Sequence, residues 1–227
     1  VSLMLGFKVA ENFKRPFFGT NISEYWRRWH MSLTSWLTDY VFMPLNIKLR
    51  NWGTNGTIVA IMTNMLFVGL WHGANWTFFF FGLYHGLLFV PLMLNGQFFK
   101  MKKIKTNKHG WPNHVSILYM ISTYLLVTIG QFLFHANSMK DVINIAFHTM
   151  TAWSGALFID RSTMINAAIC SIALIYVDIQ EEWFSKKKLY LPSWAERWRW
   201  ELTVAVEIIA ILLFGIFDNN QFIYFQF

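Results

Sequence analysis

The sequence predicts an all-α, polytopic membrane protein with about five transmembrane helices and amphipathic interfacial helices. Composition is the first reason. Of its 227 residues, 55% are hydrophobic, 23 are Phe, 12 are Trp and only 14% are charged, an apolar excess beyond that of ordinary soluble domains. Clustering is the second: the apolar residues gather in five runs, and a helix needs roughly 20 such residues to cross about 30 Å of hydrocarbon. Charge placement is the third. The net charge of +7 lies between the runs, as in cytoplasmic loops, and not along a face suited to nucleic acid. The lone Cys170 excludes an intrachain disulfide, a CxxC pair and a zinc–thiolate cluster.

Val1 opens the chain without Met or a basic leader, so the chain reads as the C-terminal portion of a longer polypeptide and residues 1–12 as the tail of an earlier helix. Residues 13–45 read as an amphipathic, Trp-rich helix. Asn21 or Ser23 caps its start with Glu24 in the first turn, and Tyr25, Trp29, Leu33, Trp36, Leu37 and Tyr40 recur at three- and four-residue steps. Too polar to span, it is expected at or dipping into the interface, until Pro44 breaks it. "KLRNWGTNG" (48–56) is a basic loop. The run 57–94 is long enough for two spans folded around "HGAN". "KMKKIKTNKHG" (100–110) is basic again, and further spans are expected at 115–134, 164–177 and 202–217. A near-neutral loop (136–162) and a charged, Trp-rich segment (181–200) separate them, all within a single membrane domain. By alternation the three basic segments fall on one side, which the positive-inside rule assigns to the cytoplasm.

Three histidines interrupt this apolar plan. If the first span leaves the cytoplasmic face at Thr57, His72 lies ~22 Å along it, short of the far side of the core. Irregular backbone at that depth must be buried in protein or line a water-filled cavity. His85 falls near the middle of the next span, and His30 among Trp26, Trp29 and Trp36. An imidazole can take and return a proton near neutral pH. In acyl transfer it would strip a hydroxyl whose oxygen attacks a thioester carbonyl, while Asn75, the Trp76 N–H or backbone N–H groups freed at Gly73 hold the oxyanion. Structural readings compete, with each histidine bonding a neighbouring helix. That reading is strongest for His85, whose flanking glycines allow close packing. No carboxylate or second His stands at i+3 or i+4 of His72 or His85, so no metal site is expected. Glu207, inside the last run, reads as part of a proton path or as a helix–helix bond.

"YWRRWHMSLTSWLTDYVFMPL" (25–45) followed by "FVGLWHGANWTFFFFGLYHG" (67–86) resembles the membrane-bound O-acyltransferase family. The resemblance is to its bacterial branch of alginate O-acetylation and related polysaccharide or peptidoglycan O-acetyltransferases. Specific motifs cover about 13–94, and the rest matches by hydropathy. Trp71-His72-Gly73 matches the family's "WHG" motif, and His30 its second position upstream. The resemblance implies catalytic roles for His72 and His30, with Trp71, Asn75, Trp76 and His85 shaping a tunnel or positioning substrate.

It also implies a multi-pass protein of the bacterial cytoplasmic (inner) membrane that moves acetyl groups from a cytoplasmic thioester to hydroxyls of a cell-envelope polysaccharide. No cofactor is expected to stay bound; acetyl-CoA or another acyl thioester is the donor. Expected partners are membrane lipid, the polysaccharide acceptor, a periplasmic or extracellular acetyl-relay protein, and the N-terminal half of the same protein, which a chain of this length lacks. Rival readings are D-alanyl transfer to teichoic acid from a carrier protein, a proton-coupled transporter using His72, His85 and Glu207, and a non-catalytic membrane scaffold.

Overall fold

Asn21 starts the first helix, α1 (Ile22–Arg28), in a computed structural model that describes residues 9–100, 104, 106, 107, 110–151, 161–184 and 205. The Asn21 Oδ1 accepts the Glu24 N–H at 2.9 Å, and the Glu24 carboxylate in turn accepts from the Thr20 N–H and hydroxyl. The exchange satisfies helix-start donors that would otherwise be orphaned. The chain groups into two compact units, Val1–Ser154 and Gly155–Phe227. Residues 9–12 are not helical, so no helix tail reaches them.

Residues 13–45 do not form the single helix that the periodicity predicts. After α1 the chain turns at Trp29–His30. It then resumes as α2 (Met31–Leu37), a π turn (Thr38–Phe42) and α3 (Met43–Lys48). Pro44 does not end this run, because the wide turn before it makes room for the ring that would clash in a regular helix. The pieces also differ in burial. α1 sinks Ile22, Tyr25 and Trp26 into the core against two longer helices introduced below. α2, the π turn and α3 instead turn Trp36, Tyr40, Met43 and Ile47 outward at helical spacing, an apolar stripe of the kind that interfacial helices carry.

α4 (Thr54–Trp71) and α5 (Trp76–Leu94) are the two spans expected within 57–94, and they pack along one another. Their contact depends on glycine. A Cβ on Gly82 would strike the Met65 carbonyl oxygen, and one on Gly69 the Phe78 carbonyl oxygen. Only small residues let two backbones approach this closely, and in lipid such packing is a main source of helix association. α6 (His114–His135), capped by Asn113, packs on α5. Residues 136–162, read as a loop, contain α7 (Met139–Thr151). Ser138 and Asp141 cap it reciprocally, with the Ser138 hydroxyl donating to the Asp141 carboxylate at 2.8 Å and accepting the Asp141 N–H at 3.2 Å.

In the second unit, α8 (Arg161–Ile179) continues into a π turn (Gln180–Phe184) and carries the apolar stretch Met164–Trp183. Four helices among the described residues are long and apolar enough to cross a membrane. The protein is an all-α, multi-pass membrane protein. The expected span at 202–217, apart from residue 205, the Lys186–Arg199 segment and Glu207 lie outside the described residues.

Candidate active site

The polar interruption "HGAN" is a helix stop followed by a helix start. α4 closes with the His72 N–H donating to the Gly69 carbonyl at 3.0 Å and the Gly73 N–H to the Leu70 carbonyl at 3.1 Å. Gly73 then takes φ 145, a backbone conformation that side chains strongly disfavour. Two residues on, Asn75 caps α5, its Oδ1 accepting the Thr77 N–H at 3.2 Å, while its Nδ2 donates to the Asn137 carbonyl at 3.1 Å. Asn75 therefore fixes the start of α5 and ties it to the α6–α7 connection. Since α4 begins at Thr54, three residues before the apolar run, His72 stands about 27 Å along it at 1.5 Å per residue.

His72 is half-buried in an aromatic cage. Its ring centroid lies 4.7 Å from that of Trp71, 4.8 Å from Phe134, 6.0 Å from Phe78 and 6.3 Å from Phe81. His30 comes to the same place from the other side of the sequence. It occupies the turn between α1 and α2 with φ 46 and ψ 51, a left-handed conformation that costs a non-glycine residue roughly 1–2 kcal/mol. Such strain persists only where the surroundings enforce it, and it clusters at functional sites. The His30 ring stands edge-on to Trp71 at 5.4 Å and 5.9 Å from Phe13, and its Nδ1 is buried without a hydrogen-bond partner among the described residues. Both imidazoles thus pack against Trp71.

The remaining predicted residues are placed differently. Trp71 and Trp76 are 51% and 67% exposed, Trp76 at the first turn of α5 beside Phe79 and Phe80. His85 is fully buried, with Trp26, Phe81 and Tyr84 around it. Sequence reasoning did not assign Phe81, Phe134 or Phe13 to the site. They come from α5, α6 and the segment before α1, and nothing in their local pattern distinguishes them from the chain's other aromatics. Among the described residues no three His, Cys, Asp or Glu side chains come together. The chemistry at hand is that of two imidazoles in a largely apolar, aromatic setting, suited to moving a proton to or from a hydroxyl or thiol.

The family model described as "MBOAT, membrane-bound O-acyltransferase family" matches residues 1–130. A protein named probable alginate O-acetylase from Pseudomonas putida is 30% identical over 79% of this chain and 34% of its own length. A teichoic acid D-alanyltransferase from Streptococcus thermophilus is 38% identical over 45% of this chain and 25% of its own. A peptidoglycan O-acetyltransferase from Helicobacter pylori is 35% identical over 38% of this chain and 16% of its own. The chain spans about a third of the length of the alginate O-acetylases it matches. With its two histidine motifs and its membrane helices, the chain belongs to the membrane-bound O-acyltransferase family.

Proposed function

We propose that this chain carries the histidine pair of an O-acyltransferase that esterifies hydroxyls of a bacterial cell-envelope polysaccharide, with acetyl as the group transferred. The observation that carries the reading is the convergence of His30 and His72 on Trp71. His72 would accept the acceptor's hydroxyl proton as its oxygen bonds to the thioester carbonyl carbon. When the carbon–sulfur bond breaks, the same proton returns to the leaving thiolate. The ester and a free thiol are the products. His30 would orient His72 or the reacting group across Trp71. The donor would be acetyl-CoA or another acyl thioester reaching the site from the cytoplasm, and the acceptor would stand on the outer side of the cytoplasmic membrane, met directly or through a relay protein.

D-alanyl transfer is the second reading, favoured by the D-alanyltransferase relatives at 36–38% identity; alginate O-acetylases, matching 79% of the chain, favour acetyl. The test is the ester-linked group on envelope glycans of cells expressing the full-length protein or its His72→Ala variant. Acetate that disappears with His72→Ala supports the reading. D-alanine in its place supports the second, and unchanged esters at normal protein level refute both.

A further inference from the structure

His85 is fully buried, at 0% exposure, and proton transfer at Trp71 gives it no task. Its contacts point elsewhere. Nδ1 accepts a hydrogen bond from the indole Nε1–H of Trp26 at 3.4 Å, and the two rings meet edge to face at 5.2 Å and 88°. In a neutral imidazole an accepting Nδ1 puts the proton on Nε2. That nitrogen is buried, has no partner among the described residues, and lies against the bare Cα of Gly130 on α6, where a Cβ would stand only 2.5 Å away. His85 is therefore clamped between α1 and α6 with a single polar attachment, to Trp26.

Trp26 stands four residues before His30, on the short helix that ends at the strained turn carrying it. Both Trp26 and His85 also touch Phe81, at 6.5 and 4.5 Å, and Phe81 is itself 6.3 Å from the His72 ring. One aromatic cluster thus connects the α1 anchor to both histidines. We propose that His85 and Trp26 form a positioning pair, which docks α1 on α5 and thereby fixes the His30 turn against Trp71 and His72. The pair touches no substrate. This role rests on the acyl-transfer reading above.

Histidine geometry supplies the test, because asparagine places an oxygen near the position of Nδ1 and glutamine near that of Nε2. Native membrane vesicles containing full-length protein are given acetyl-CoA, and thiol release is followed at matched amounts of folded protein. His85→Gln and Trp26→Phe are each expected to lower kcat about 10- to 100-fold, the scale of a roughly 1 Å misplacement, with KM for acetyl-CoA unchanged. His85→Asn should recover most of the rate. The double variant Trp26→Phe/His85→Gln should be no slower than either single one. Gly130→Ala, which pushes on the ring from behind, should lower kcat in the same way and decides the matter with Trp26→Phe if the His85 variants do not accumulate. Trp26→Phe and His85→Gln at wild-type rate beside an inactive His72→Ala would overturn the positioning pair alone. So would an inactive His85→Asn beside a silent Trp26→Phe, which would make His85 act on its own. His72→Ala at the wild-type rate would instead remove the acyl-transfer reading beneath it.

Discussion

Replacing Gly82 and Gly86 of α5 separately by alanine tests the α4–α5 contact that sets the position of His72. The two glycines are one helical turn apart, and in both cases alanine brings the same gain in helix propensity, about 1 kcal/mol. Their surroundings differ. The Cβ of Gly82→Ala would strike the Met65 carbonyl oxygen and lie 3.0 Å from the Leu66 Cα. These are backbone atoms of a helix, which cannot turn aside. The helices must separate, and overpacking of this kind costs roughly 1–3 kcal/mol, exceeding the propensity gain. At Gly86 the obstacle is the Met62 Sδ, at 2.8 Å, the flexible end of an unbranched side chain that re-packs readily. Gly86→Ala is therefore expected to stay within about 1 kcal/mol of wild type, and Gly82→Ala to be destabilised by up to about 2 kcal/mol, the overpacking cost less the propensity gain. The assay is the thermal unfolding midpoint of purified full-length protein in one detergent, with acyl transfer measured on the same samples. Gly82→Ala should melt several degrees lower and lose activity, while Gly86→Ala keeps both. A Gly82→Ala protein as stable as Gly86→Ala would refute the close helix contact.

Other substitutions probe individual elements. Asn21→Ala removes the α1 cap that accepts the Glu24 N–H and should cost about 1 kcal/mol, read by the same melting assay. His30→Gly and His30→Ala should both abolish transfer, yet the glycine variant should be more stable by about 1 kcal/mol because it relieves the left-handed backbone. Thr77→Val removes a fully buried hydroxyl without a hydrogen-bond partner and should be neutral or stabilising by about 1 kcal/mol.

Span positions were readable because membrane crossing depends on length and hydropathy, which a linear sequence displays directly. α4, α5, α6 and α8 lie where the apolar runs place them, and helix starts at Asn21, Asn75 and Asn113 carry their own side-chain caps. The helix over 139–151 was missed although "SMKD" has the spacing of a cap, because the mixed polarity that follows resembles a loop. The break at His30 and the passage through Pro44 were hidden for a different reason. Periodicity alone cannot show a left-handed turn or a π turn, both of which are imposed by packing. His30 and His72 stand out as polar groups in an apolar context, but their meeting at Trp71 depends on how α1 docks. That docking uses the Trp26–His85 bond between residues 59 positions apart, and no local pattern announces it.

The central claim is that His72, held beside Trp71 and His30, moves the proton in acyl transfer. Its most direct test is single-turnover transfer of radiolabelled acetyl from a thioester to envelope glycan by full-length protein in native membrane vesicles, comparing wild type with His72→Ala at equal folded amounts. Loss of a positioned general base should slow the chemical step about 100- to 10,000-fold while thioester binding persists. A His72→Ala protein that transfers label at the wild-type rate would contradict the account.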